Sequence, residues 1–194
     1  MSGELRIAVI DKNPLRAAVI EEGLRAAGHT SVVPINDTAD LLERIRAIDP
    51  DVILIDLESP SRDVLEQMFN VSRSVARPVA MFVDQSDAAM IDAAIDAGVS
   101  AYIVDGLRKE RVKPILDMTI SRFNAFAKLK KELETAKSRL DDRKAIDRAK
   151  ALVMRAKAIP EEQAYALMRQ AAMNENKKIA EVARSIITAA ELLR

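Results

Sequence analysis

The first half of the chain alternates short apolar runs with apolar residues at helical spacing. Leu5–Ile10, Val52–Ile55 and Val79–Val83 are near-continuous apolar runs; Ala101–Val104 is shorter and Thr30–Pro34 is weaker. Runs of this length predict parallel strands covered on both faces. Between them, Leu15, Val19, Ile20 and Leu24 recur at helical spacing and stop at Ala27-Gly28, a C-cap signal. Leu41, Leu42, Ile45 and Ile48 form a second stripe, Val64, Leu65, Met68 and Val71 a third, and Met90, Ile91, Ala94 and Ile95 a fourth that ends before Gly98. This βα alternation predicts a doubly wound α/β domain with a five-stranded parallel sheet. Such sheets place their sites at the carboxyl ends of the strands. Those ends carry Asp11, Asp56, Asp84 and Asp105.

The pattern changes after Arg108. No glycine follows Gly106, and Pro114 is the only proline up to Lys157, so a long helix is predicted. Phe126, Leu129, Leu133, Ala136 and Leu140 step alternately by three and four, an a/d seam with charges between its members. The seam fits a two-copy coiled coil; it also fits a helix laid against its own α/β domain. Pro160-Glu161-Glu162 then starts a new helix, with Pro in the first turn and acids at the positive end of the dipole. Ala164, Leu167, Met168 and Ala171 give it an apolar stripe. Asn174–Asn176 reads as a turn with Asn176 as N-cap, and Ile179, Val182, Ala183, Ile186, Ala190 and Leu193 stripe a last helix. Together these predict a small all-α bundle whose first helix continues the long one.

Composition narrows the chemistry. Apolar residues make up 49% of the chain, enough for a substantial core. There is no cysteine, which excludes disulfides and thiolate metal sites, and a single histidine, His29, leaves almost nothing for a His-metal cluster or a Ser-His-Asp triad. No metal site, no cofactor and no enzymatic activity are expected. The opening MSGELRIAVID lacks a basic stretch followed by a long apolar one, and no long uncharged run occurs, so a cytoplasmic protein without membrane contact is expected. Charge balances overall but divides along the chain. Residues 1–127 carry 14 Lys/Arg and 20 Asp/Glu; residues 128–194 carry 16 and 10. The basic half fits either a nucleic-acid-contacting module or a solvated helical surface.

The segments IAVIDKNP, DVILIDLESPSRD, RPVAMFVDQSD and AGVSAYIVDGL resemble, in order and spacing, the signature stretches of response-regulator receiver domains. The resemblance covers residues 4–123 and implies a flavodoxin-like, CheY-like fold. It puts Asp56 at the phosphoacceptor position with Asp11 across the site, and Tyr102 at the switch aromatic. Three positions depart from it. Lys12 stands where receivers carry a second acid for Mg²⁺, Val83 where they carry a hydroxyl, and Asp105 where they carry a lysine. Phosphoryl transfer depends on positioned cations, and Mg²⁺ on oxygen ligands, so these losses argue against phosphorylation as the input. Asp56 is then expected to pair with Lys12 as a structural carboxylate, and the receiver to answer to a partner protein.

A second resemblance covers residues 138–190. Arg143, Ile146, Ala149-Lys150, Leu152, Met154, Glu161-Glu162, Ala164-Tyr165, Leu167-Met168-Arg169, Ala172-Met173, Lys178, Val182-Ala183 and Ile186-Ile187 follow the pattern of the ANTAR domain, an RNA-binding antiterminator module. Ala158 departs from it, standing where a glycine often ends the first helix. The whole chain is similar to nitrate-assimilation antiterminators of the NasT type. The expected organisation is a receiver at 1–123, a coiled-coil linker at 124–141 and an ANTAR domain at 142–194. Candidate RNA contacts are Arg143, Lys144, Arg148, Lys150, Arg155, Lys157, Tyr165, Arg169, Lys177 and Lys178. Arg143, Lys150 and Lys157 share a helical face, interrupted by Asp147. Tyr165 either stacks on an unpaired base, worth ~1–3 kcal/mol, or braces the bundle. The resemblance implies leader-RNA hairpins, a sensor protein and a second copy of the chain as partners. DNA is not expected, because the stretch lacks the glycine-containing turn of a helix-turn-helix. A phosphorylated regulator using Asp56 and a pure protein scaffold are the alternatives.

Overall fold

The computed structural model describes residues 4–58, 60–104 and 108–192. Its backbone contacts divide the chain into two units, Met1–Ala127 and Lys128–Arg194. The first unit has strands β1 (Ile7–Ile10), β2 (Val32–Ile35), β3 (Val52–Leu57), β4 (Val79–Val83) and β5 (Ala101–Val104). They form one parallel sheet in the order β2-β1-β3-β4-β5. Between them run α1 (Pro14–Ala26), α2 (Leu41–Ile48), α3 (Arg62–Ser74) and α4 (Ala88–Asp96). This is the doubly wound α/β fold that the alternating pattern predicts and the CheY-like fold that the receiver resemblance implies.

Side-chain parity divides the core into two layers. Ala8, Ile10, Ile53, Ile55, Met81 and Val83 face one way and pack with Leu41, Ile45, Leu65, Met68 and Phe69. Ile7, Val9, Val52, Leu54, Ala80 and Phe82 face the other way. They pack with Ile20 and Leu24 of α1 and with Val112, Ile115 and Leu116 of the helix that follows β5. Gly23 lets α1 approach that helix closely, since a Cβ there would lie 2.9 Å from Val112 Cγ2.

The expected stripes need two corrections. Leu15 and Val19 are exposed, and the inner face of α1 is Ala17, Ile20, Gly23 and Leu24. Ile91 and Ile95 of α4 are likewise exposed while Ala94 is buried. In both helices the apolar residues span more than one face, and the sheet takes the row with the small residues.

Helix α5 runs Lys109–Lys157, with Pro114 inside its second turn. Val112, Ile115, Leu116 and Thr119 at its start are buried. Phe126, Leu129, Leu133, Ala136 and Leu140 are exposed, the four large ones by 54–69%.

In the second unit α6 (Glu161–Asn174) and α7 (Ile179–Leu192) pack with the end of α5 around Ala149, Met168 and Ala183. Ala145, Ile146, Val153, Ile179, Ile186 and Ile187 flank this core. Pro160 is the N-cap of α6, one position before its first turn. Asn176 is not an N-cap. It has φ +52° after the end of α6, and Lys178 immediately precedes α7, its N–H donating to Glu181 Oε2 at 2.8 Å. A left-handed residue terminates a helix, which is why an Asn in a turn satisfied both readings.

Candidate receiver pocket and nucleic-acid interface

Asn13 caps α1, its side chain accepting from the Leu15 N–H, and Pro14 opens the first turn. This start sets Arg16 one and two turns before Ile20 and Leu24, on the inner row of the helix. Asp56 lies on β3 in phase with Val52 and Leu54, the parity that faces α1. The two meet as a bidentate pair. Arg16 Nε donates to Asp56 Oδ2 at 2.8 Å and Nη2 to Oδ1 at 2.7 Å. The same guanidinium reaches Asp84 Oδ1 and Oδ2 at 3.3–3.4 Å. The Asp56 side chain is fully buried, so its charge requires a matched partner, and a planar guanidinium fork supplies one. The hydrogen bond to Asp56, and then that to Asp84, hold the Arg16 pKa above its ordinary value.

Asp11 completes the cluster. The Asn13 N–H donates to its Oδ1 at 2.7 Å, while its Oδ2 is buried without a hydrogen-bond partner. Burial pushes this carboxyl up to about 6; the negative charge of Asp56 adds to the shift, against the Asn13 N–H and Arg16.

The expected pairing of Asp56 with Lys12 is not made. Lys12 sits in the turn before α1 and is exposed, whereas Arg16 projects from the row that faces the sheet. Val83 is fully buried and brings no hydroxyl to the end of β4. The hydroxyl nearby is Ser86 Oγ, 3.0 Å from the Tyr102 hydroxyl, and Tyr102 packs half-buried against the first core layer. Asp105 lies outside the described residues. Receivers use such acidic strand ends to hold a divalent cation. The residues here do not fit one as they stand. Arg16 engages both Asp56 oxygens and also reaches Asp84, which leaves Asp11 Oδ2 as a single free buried oxygen.

The second unit sorts its cations by whether an acid answers them. Lys150 is held by Asp147 at 2.8 Å and Glu161 at 2.6 Å, with a side chain 17% exposed. Asp147 and then Glu161 raise its pKa, and Lys150 in turn lowers that of Asp147. The shared face of Arg143, Lys150 and Lys157 is therefore interrupted at its centre by an internal tie. Arg148 pairs with Glu191 at 2.6 Å and Lys177 with Glu175 at 2.7 Å; the latter raises the Lys177 pKa. Among the described residues Arg143, Lys144, Arg155, Lys157, Arg169 and Lys178 are exposed and make no side-chain ion pair.

Two concave surfaces take in three of these, Arg155, Arg169 and Lys178. Arg148 and Arg155 flank a cavity of about 120 Å³ floored by Ala151, Leu152, Ile187 and Ala190. Arg169, Lys177 and Lys178 line a broader cleft with Ala172, Met173, Asn176 and Glu181. Tyr165, 43% exposed, and Met173, 66% exposed, stand one turn on either side of Arg169 along α6. Tyr165 thus presents half its surface to solvent on the row that leads to the second cleft.

Sequence reasoning missed Arg16, Asp84 as its second acceptor, and Met173. Arg16 carried a usable signal. It precedes Ile20 and Leu24 by whole turns and lies beside the carboxyl end of β1, so the parity of Asp56 pointed at it.

A parallel sheet with a buried carboxylate cluster at its carboxyl edge, joined to a basic helical bundle, defines a two-module regulator of the receiver class. The receiver profile matches residues 7–117 and the ANTAR domain profile residues 134–187. The chain belongs to the response regulator receiver family and carries an ANTAR domain behind its receiver. It is similar to the transcriptional regulatory protein PdtaR of Mycobacterium tuberculosis, 27% identical over 180 residues, 91% of this chain and 88% of that protein. The nitrate regulatory protein of Klebsiella oxytoca is 32% identical over 82 residues, 42% of this chain and 21% of that one. Among solved structures, a CheY-like receiver domain protein from Methanospirillum hungatei superposes with a TM-score of 0.55 at 14% identity, over 63% of this chain and 98% of that one. No helix among the described residues is long and apolar enough to cross a membrane.

Proposed function

We propose that this chain is a transcription antiterminator. On this reading its C-terminal bundle binds leader-RNA hairpins and prevents a terminator from forming. The observation that carries the reading is the group of unanswered cations, three of which (Arg155, Arg169 and Lys178) line the two clefts, in the segment that matches the ANTAR profile. Folded RNA is held by phosphate contacts and by stacking of unpaired bases on aromatic or guanidinium planes. Arg143, Lys144, Arg155, Lys157, Arg169 and Lys178 supply the first, and Tyr165 with the ion-paired Arg148 the second. Lys150 serves the bundle and contributes little to RNA.

The exposed Phe126–Leu140 seam supports a homodimer in which each copy engages one hairpin, and the second contact gains from effective concentration. The Arg16–Asp56 pair supports control by a sensor protein over control by phosphorylation. The stretch similar to the nitrate regulatory protein supports nitrate or nitrite assimilation as the setting, in the cytoplasm.

The test is fluorescence anisotropy with leader hairpins over a salt series. Each phosphate contact contributes about −0.7 to −0.9 to the log–log salt slope. Neutralising Arg155 and Lys157 together flattens the slope by roughly two such increments, whereas Lys150→Gln leaves the slope and lowers thermal stability. Binding that is absent at low salt, or that is unchanged from low to high salt, refutes RNA as the ligand and leaves a protein-interaction scaffold.

A further inference from the structure

Carboxylates from the ends of three neighbouring strands converge on one side chain, and that side chain is not the one the family pattern brings to the site. Asp11 follows β1, Asp56 is the penultimate residue of β3 and Asp84 follows β4. Arg16 closes on the last two from α1. We propose that Arg16 is the resident cation of this pocket, and that it closes Asp56 to divalent metal, so that the chain holds a blocked metal site of which the carboxylates of Asp11, Asp56 and Asp84 remain.

Three observations support this. First, the guanidinium and a hard divalent ion compete for the same atoms. Mg²⁺-class ions take carboxylate oxygens, and Arg16 already uses both of those on Asp56. Second, Asp11 Oδ2 is an acceptor without a donor. Asp11 is 4% exposed, and this oxygen is buried with no hydrogen-bond partner. Buried acceptors are normally satisfied, and an oxygen left idle beside another carboxylate is one that a cation would use. Third, among the described residues no basic side chain other than Arg16 pairs with these carboxylates. Lys12 is exposed, and among the described residues it makes no ion pair. Removing the guanidinium therefore leaves buried carboxylates facing each other, an arrangement relieved by a divalent ion.

The proposal concerns the receiver pocket alone and stands or falls independently of RNA binding. The experiment uses the full-length chain and Mn²⁺ as the probe, followed by the electron paramagnetic resonance of the free ion. The variants are Arg16→Gln, Arg16→Met, Asp56→Asn and Arg16→Gln/Asp56→Asn. Arg16→Met keeps the apolar stem where glutamine disturbs packing, and circular dichroism establishes that each variant is folded. Wild type shows no saturable binding. A folded Arg16 variant binds about one Mn²⁺ per chain, at least ~10-fold tighter than wild type, as expected from losing a like charge within a few ångströms. The double variant loses it. Saturable binding by wild type that Asp56→Asn abolishes overturns the proposal, and so does a folded Arg16 variant that binds no more tightly than wild type.

Discussion

Leu133 sits in the middle of the exposed seam and is 55% exposed in the single chain. Fully burying a leucine side chain is worth roughly 1.5–3 kcal/mol. About half of that is still available at Leu133, roughly 1–1.5 kcal/mol, and a symmetric pair of helices collects it twice. Leu133→Ala forfeits most of this sum, about 2–3 kcal/mol, which weakens the dimer roughly 30- to 150-fold. Flanking Leu129 and Leu140, 63% and 54% exposed, are in the same position, so Leu133→Asp abolishes association outright. Sedimentation equilibrium over a concentration series measures the dissociation constant directly, and circular dichroism monitors the helix. A Leu133→Ala chain that is fully helical and associates as tightly as wild type places the dimer contact elsewhere and removes the seam from the account.

Further consequences follow from the packing and the pocket. The Asp11 carboxyl is held at about 6, above its value of 3.8 outside the fold, so between those values the folded chain binds more protons than the unfolded one. Its contribution is fully favourable below pH 4 and is lost as the pH rises through 6, a change on the order of 3 kcal/mol. Denaturant melts of Asp11→Asn show a flatter pH profile across that window and higher stability above it; an unchanged profile means that Asp11 is not strained. Gly23→Ala would ordinarily gain about 1 kcal/mol in a helix. Here the new Cβ meets Val112 Cγ2 at 2.9 Å and the Lys109 carbonyl oxygen at 3.1 Å, so a loss of about 1–3 kcal/mol is expected in thermal melts. Ala158 ends α5 with φ +53°, and Ala158→Gly relieves that strain for a gain of about 1 kcal/mol, read as a higher melting temperature.

The sheet was legible because buried parallel strands announce themselves as apolar runs, and β4 and β5 were bounded to the residue. β3 extends to Leu57, past a charged Asp56 that an apolar pattern treats as an end. The bundle was legible for the same reason as the strands, since its stripes repeat over whole helices. The pocket was only half legible. Its carboxylates follow strands and so are found by position, but the cation that answers them comes from another element. Choosing between Lys12 and Arg16 requires knowing which face of the sheet Asp56 takes and which row of α1 turns inward. Leu15 and Val19 misdirected that second choice, because α1 is apolar on its outer side as well. The candidate RNA-binding surface was legible as a basic segment, not as individual residues, because an acid distant in sequence decides which lysine or arginine is spent. Glu191 reaches Arg148 from the far end of α7, and no local pattern reveals it.

The interior that joins α5, α6 and α7 is thin. Its buried members among the described residues are five alanines, Val182 and Met168, with partly covered isoleucines and Val153 around them. Small side chains let helix axes draw together, yet they withdraw little oil-like surface from water, so this module has slender thermodynamic reserves when alone. A fold so poised is tuned by what it holds: any occupant that prefers the assembled form lifts its melting point in proportion to the logarithm of occupant concentration over affinity. Calorimetry of the intact chain would then resolve a low-temperature transition that climbs as hairpins are titrated in, while the receiver's own endotherm stays where it was.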